Sequence, residues 1–442
     1  MKSGEIHIIG GGLAGCEAAW QILKRGHRVH LFEMKPKKYS PAHKMESLAE
    51  LVCSNSLKTN HPDSAPGMLK EEMRKLNSLI LSVADQTAVP AGSALAVDRE
   101  QFSQGVQTCL LRQKNFTLSR MEITELVKTD SLTIIATGPL TSDLLAQAIN
   151  EKLGGDSLYF YDAIAPIVYA DSIDMTKVFW ASRYDKGEAD YLNCPFTEDQ
   201  YKQFREELLK GEKVAAKAFE DFRYFEGCLP IEVLAARGEN TLAFGPMKPV
   251  GLRDPRTGIM PYAVVQLRRE NKSGALFNLV GFQTKLTWPA QEKIFRMIPG
   301  LENVQFARMG SIHRNTYLHS PSLLHHSLQL KTDPRIFFAG QITGVEGYME
   351  STAMGLLAGL NVASVLEEKT FPPPPATTAM GALSAYITSP ESAKNFQPMN
   401  INFGILEPLS LKKMKKKEKH LAYGKRAATE FNQWMKYLNI NS

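Results

Sequence analysis

The chain has 442 residues, 43% hydrophobic and 22% charged, an ordinary globular composition with length for about three domains or one large split domain. Five scattered cysteines, Cys16, Cys53, Cys109, Cys194 and Cys228, without a CxxC pair argue against a disulfide framework or zinc cage, and no metal site is expected. No continuous apolar run approaches the ~18 residues of a membrane span, and the modest net charge of +6 is concentrated towards the C-terminus.

Ile6 to Ile9 predicts a buried strand, followed by the turn Gly10-Gly11-Gly12-Leu13-Ala14-Gly15 and a helix with Ala14, Ala18, Ala19, Ile22 and Leu23 on its apolar face. Gly26 fits the C-cap, and a second strand, Val29 to Phe32, ends on Glu33. This order is that of a dinucleotide site: Gly10 allows the tight turn, Gly12 lets the backbone reach a pyrophosphate, and Gly15 lets the helix lie close to the sheet. The helix N-terminus faces the anion and Glu33 is placed to hold an adenosine ribose. A strand starting within ten residues of Met1 gives the expectation of no leader peptide and a cytoplasmic protein.

Leu69 to Leu81 reads as one amphipathic helix, Ala88 to Ala96 as a loop, and Phe102 to Leu111 as another helix. Ser131 to Gly138 predicts a strand returning beside the first, with Thr137 and Gly138 touching the cofactor. Beyond about Asp156, strand-like runs at Ala163 to Tyr169, Thr241 to Phe244, Ala263 to Leu267 and Leu276 to Phe282 suggest an inserted α+β domain. Arg335 to Gly340 resumes the first sheet and leads through Gln341, Gly344 and Gly347 into a small-residue helix, Ser351 to Val365. Its N-terminus can face the cofactor, although tight packing explains small residues equally well.

The fold class is α/β, a Rossmann-like domain whose fingerprint, Ala-Thr-Gly strand and late strand–Gly–helix segment resemble the two-dinucleotide-binding flavoproteins, in which FAD lies extended. Gln341 replaces the acid common in those families, and the CxxxxC of their disulfide reductases is missing. The division is 1–155 and 331–370 for the FAD-binding domain, 156–330 for the insertion, and 371–442 for a stiff FPPPP linker and a basic appendage.

Two cysteines stand out. Cys228, in EGCLPIEVLAARG, precedes a helix with Pro230 suited to N1 and Gly238 to the C-cap, a setting that lowers a thiol pKa. Cys53, in LVCSNSLKTN, has Lys58 and His61 nearby, whereas Cys16 and Cys109 look structural. The alternative for each is a small buried hydrophobe. In the tail, Lys412, Lys413, Lys415, Lys416, Lys417 and Lys419 can neutralise phosphates, or form a solvated helix face.

GGGLAGCEAAW, LFEMKP, LAELVCSNSLKTN, VPAGSALAVDRE, YDAIAPIV, ADYLNCP, FGPMKPVGL, GFQTKLTWPAQ, IHRNTYLHSP and GVEGYMESTAMGLLAGLN together resemble the folate- and FAD-dependent tRNA uracil-5 methyltransferases, nearly end to end. The resemblance implies methylation of C5 of the T-loop uridine at position 54 of tRNA, with 5,10-methylenetetrahydrofolate as methylene donor, FADH2 as reductant and NAD(P)H restoring the flavin. It makes Cys53 and Cys228 the catalytic cysteines, with attack on C6 assigned to Cys228 and an exchange of roles left open. A uridine extruded from the tRNA elbow fits the basic tail and an aromatic loop, His313-Arg314-Asn315-Thr316-Tyr317, with Arg314 as an RNA contact. The rivals are the same chemistry on ribosomal RNA, a flavin oxidoreductase of a small metabolite, a non-catalytic RNA-binding flavoprotein and the wobble-uridine modifying flavoproteins.

Overall fold

The computed structural model describes residues 4–126, 130–155, 157–185, 189–214, 229–410 and 414–438. Ile6–Ile9 lies inside a six-stranded sheet ordered Gln329–Leu330, Asp333–Phe338, Thr133–Ile135, Ile6–Ile9, Val29–Glu33, Phe116–Arg120, parallel throughout except for the first pair. Ile8 stands opposite both Leu31 and Ile134, so its side chain is buried within the sheet.

The first helix, Leu13–Leu23, crosses Tyr348–Leu366 at backbone contact. A Cβ on Gly355 would stand 2.2 Å from the Ala14 carbonyl oxygen, and one on Gly359 would stand 2.7 Å from that of Ala18. Only glycine permits that approach, so the small residues of the second helix are explained by packing, and the helix begins at Tyr348, three residues before the expected start. This helix is long and apolar enough by length and composition to cross a membrane, with a mean hydropathy of 1.3, which differs from the expectation of no such segment. Its small residues raise the hydropathy without forming an unbroken run of large apolar ones, and 83% of it is buried inside the protein.

A second six-stranded sheet, antiparallel, runs Phe179–Ala181, Tyr191–Phe196, Ala263–Arg269, Leu276–Leu279, Ile167–Tyr169, Phe306–Arg308 and carries its own apolar cluster with Phe204, Phe282 and Phe295. A two-stranded ribbon, Ser157–Ile164 with Ser311–Leu318, flanks it.

Several local expectations change. Leu69 to Leu81 is two helices, Ala65–Lys75 and Leu79–Gln86, because Asn77 turns left-handed at φ 55° and the Ser78 hydroxyl caps the second by accepting from the Leu81 N–H. Thr241–Phe244 is a helical turn rather than a strand. Residues 313–317 are strand rather than loop, paired along their length with the opposite ribbon strand. The tail is not a separate appendage: Lys416–Tyr437 is a helix whose Tyr423, Ala427, Phe431, Trp434 and Met435 enter the core of the first sheet. Trp434 Nε1 also donates to the Pro372 carbonyl at 3.0 Å, tying the helix to the proline segment.

Gly355→Ala is expected to lower stability by about 1–3 kcal/mol through overpacking. The reading is a lower urea midpoint at unchanged slope, and an unchanged midpoint would show that the two helices separate without cost.

Candidate functional site

The glycines of the first turn answer to different constraints. Gly10 is left-handed at φ 104°, and a Cβ there would lie 2.6 Å from the Ala136 oxygen; one on Gly15 would lie 1.9 Å from the Gly10 oxygen. Gly12 has an ordinary φ of −76°, and no protein atom lies within 4 Å of where its Cβ would be. Neither strain nor packing therefore requires glycine at that position, and the space above it is open to the approach of a ligand. The Gly11 N–H donates to Glu33 Oε2 at 2.9 Å and the Lys35 N–H to Oε1 at 2.9 Å, which fixes the carboxylate against the turn. Leu13 and Ala14 open the first helical turn directly beyond Gly12.

A hollow of about 80 Å³ is lined by Gly10, Gly11, Gly12, Glu33, Thr137 and Leu140. A second, of about 260 Å³, is lined by Cys53, Lys58, Leu140, Gln341, Gly347 and Tyr348. Leu140 lines both, so the two are neighbours, one beside the glycine turn and the other beside Cys53. Gly138, left-handed at φ 68°, turns the chain beside the first hollow, and the Thr137 and Thr141 hydroxyls share a 2.6 Å hydrogen bond at its edge. Gly340 (φ 81°), Gly344 (φ 85°) and Gly347 (φ 117°) bend the segment from Asp333–Phe338 into the second helix, and Gln341 Nε2 donates to Glu346 Oε2 at 2.6 Å. A helix N-terminus thus borders each hollow, Gly12 capping one helix and Gly347 the other. Neighbouring hollows with an open glycine and two anion-attracting helix ends suit an extended dinucleotide such as FAD.

Cys53 is half-buried beside the second hollow. Tyr348 Oη lies 2.9 Å from its sulfur and accepts the N–H of Cys53 at 2.9 Å and of Ser54 at 3.2 Å. Lys58 Nζ meets the wholly buried Glu350 at 2.8 Å. Burial pushes the thiols of Cys16 and Cys194 far above the ordinary range, so both are inert.

Cys228 lies outside the described residues, and the helix after it, Ile231–Ala236, has six residues with Pro230 as N-cap rather than N1. So short a helix gives little dipole to a neighbouring thiol, which removes the sequence-based reason for preferring Cys228. The Ile231 N–H nevertheless donates to the carbonyl of Gln283, a residue lining the Cys53 cavity, at 2.7 Å.

Lys415, Lys416, Lys417 and Lys419 are exposed on the last helix, while Lys412, Lys413 and the side chain of Arg314 lie outside the described residues. Asn400 lines the Cys53 cavity, and three residues on Phe403 stacks on His420 at 4.0 Å, beside Lys419. Tyr348 escaped the sequence reading, as did a buried group formed by Arg99, Arg268, Glu270 and Arg308. Tyr348 follows Gly347 but lies three residues before the helix expected at Ser351, so nothing marked it out in the sequence.

Residues 5–370 match the family model described as GIDA: Glucose inhibited division protein A. The methylenetetrahydrofolate–tRNA-(uracil-5-)-methyltransferase TrmFO of Syntrophus aciditrophicus is 59% identical over 434 residues, 98% of either chain. That of Geobacter sulfurreducens is 57% identical, covering 98% of this chain and 99% of the relative. Among solved structures, Aquifex aeolicus GidA in its form I crystal superposes with a TM-score of 0.70 at 16% identity, over 98% of this chain and 76% of that one, a likeness of fold.

Gly12→Ala is expected to leave the melting temperature of the cofactor-free protein unchanged and to abolish copurification of flavin, measured by absorbance near 450 nm. Retention of flavin by that variant would move the pyrophosphate elsewhere.

Proposed function

The chain belongs to the GidA family and, within it, to the methylenetetrahydrofolate–tRNA-(uracil-5-)-methyltransferases, and from that membership we propose that it methylates C5 of the T-loop uridine at position 54 of tRNA, in the cytoplasm. The donor is 5,10-methylenetetrahydrofolate. Uracil C5 is a weak nucleophile, and a thiolate adding to C6 creates an enolate whose C5 can bond the electrophilic methylene. Cys228 makes the addition and Cys53 takes the C5 proton: the C6–S and C5–CH2 bonds form, the proton passes to the Cys53 sulfur as the remaining folate N–CH2 bond breaks and tetrahydrofolate leaves, and the Cys228 sulfur leaves C6 when hydride is delivered to the methylene carbon. FAD, held along Gly10 to Gly15, Glu33, Thr137, Gly138, Gly340 and Gly347, supplies when bound the electrons that make methylene into methyl, with NAD(P)H as the external reductant.

The observation that supports this reading is the pair of neighbouring hollows that share Leu140, one lined by Glu33 and the other by Cys53. Cys228 is three residues from Ile231, which is bonded to the cavity wall at Gln283, so at most about 10 Å of chain separates their Cα atoms. The exposed lysines lie close along the chain to the Phe403–His420 stack that leads back to Asn400 at the cavity. They bind tRNA phosphates while the uridine enters the pocket.

Purified protein is expected to move labelled methylene from methylenetetrahydrofolate into T-loop RNA without S-adenosylmethionine, and no incorporation would reject the function. RNA carrying 5-fluorouridine should form a covalent adduct that Cys228→Ala abolishes and Cys53→Ala keeps, while Cys53→Ala lowers methyl transfer by about 100-fold or more. The opposite adduct pattern would exchange the two roles. Replacing Lys415, Lys416, Lys417 and Lys419 with glutamine should weaken tRNA binding and reduce the slope of log affinity against log salt by up to about three. A constant slope would remove the tail from the interface.

A further inference from the structure

Tyr348 Oη accepts the backbone N–H groups of both Cys53 and Ser54. A phenolic oxygen has two lone pairs, and both are taken, so its remaining capacity is to donate its proton. The atom placed to receive it is Cys53 Sγ, at 2.9 Å. The geometry therefore makes the sulfur an acceptor, and a thiolate accepts far better than a thiol. Burial also holds the tyrosine well above its ordinary pKa, so the donor keeps its proton.

Behind this pair lies a buried charge imbalance. Arg99 bonds to Glu270 and to the Leu51 carbonyl, two residues before the cysteine. Arg268 donates from Nε to Asn55 Oδ1 at 2.9 Å and from Nη2 to Ser54 Oγ at 2.7 Å, gripping the residues just after it. Arg308 is within electrostatic reach of Arg99, Glu270, Tyr348 and Cys53, and its Nε and Nη2 are buried without a hydrogen-bond partner among the described residues. Three guanidiniums face one carboxylate, leaving two positive charges beside the loop. Among the described residues, Glu346, which accepts a hydrogen bond from Gln341, and the Lys58–Glu350 pair, balanced within itself, also lie at this end, and the Tyr191 phenol faces Arg268. An uncompensated buried cation is costly, so a cluster of this sign is best satisfied by a nearby anion.

We infer that Arg99, Arg268 and Arg308 are positioning residues that keep Cys53 as a thiolate, with the Tyr348 hydroxyl donating to it, so that the sulfur is ready to accept a proton from substrate. This rests on the reading of Cys53 as a reacting residue, but its test does not require methyl transfer. Arg308 is the sharpest probe, since its Nε and Nη2 have no hydrogen-bond partner among the described residues, and Glu270 is its counterpart of opposite charge.

The experiment is carboxymethylation of the flavin-loaded protein by iodoacetate and, in parallel, by neutral iodoacetamide, across pH 5 to 10, with the Cys53 peptide quantified by mass spectrometry. Arg308→Met is expected to raise the pH midpoint for Cys53 modification by about one unit and Glu270→Gln to lower it by about one unit, in line with the usual effect of one nearby charge. Tyr348→Phe should raise it as well. Thermal melting and retained flavin identify variants that remain folded, and Arg308→Lys, which keeps the charge, should restore the midpoint. Midpoints that stay in place, or that move in the same direction for Arg308→Met and Glu270→Gln, would overturn the proposal even if methyl transfer is intact. Normal midpoint shifts with no methyl transfer would instead count against the functional reading.

Discussion

The contact on which the remaining geometry depends is the backbone approach of Leu13–Leu23 to Tyr348–Leu366, at Ala14 against Gly355 and Ala18 against Gly359. With no side chains between them, the two helices are fixed in register. Their N-termini, at Gly12 and Gly347, then fall at set positions beside two neighbouring hollows. Each end is anion-attracting on its own. Their spacing is what turns two ordinary helix ends into a seat for a long ligand.

Charge is distributed around the two hollows in two styles. Near the glycine turn, buried charges are paired: Lys35 meets Glu50 at 3.1 Å with both side chains almost wholly covered, and Glu33 is held by two backbone N–H groups. Such pairs set shape at little net field, since the cost of burying each ion is offset by its partner. At the cysteine end the count is unequal, with Arg99, Arg268 and Arg308 around Glu270. A field there acts on whatever ionises next to it. Paired buried charges thus line the hollow at the glycine turn, and unpaired ones lie beside Cys53.

The parts legible in the sequence are those fixed by neighbours close in the chain. The turn Gly10 to Gly15 is encoded within six residues, and the parallel strands flanking it carry continuous apolar runs. The break at Asn77 was obscured because the apolar spacing continues through it, although Ser78 was available as a cap. Thr241 to Phe244 misled for a simpler reason: four residues of mixed character carry no period. The tail misled because its lysines dominated the reading, while the aromatic face of Tyr423, Phe431 and Trp434 that docks it runs at helical spacing underneath. The arginine cluster had no signal at all, since Arg99, which opens a helix, meets residues 268, 270 and 308 of the antiparallel layer only in the folded chain.

That last feature has a consequence for how the protein loses function. The glycine turn and its hollow belong to the parallel sheet, whereas Arg268 and Arg308 come from strands of the antiparallel one and Glu270 directly follows the strand of Arg268. Domains open locally and at different free energies. If the antiparallel layer loosens first, under heat, denaturant or proteolysis, the half that grips the dinucleotide can persist while the charges around Cys53 disperse. A yellow sample would then report an intact binding half and nothing about the chemistry, so colour and competence are separate properties of this molecule.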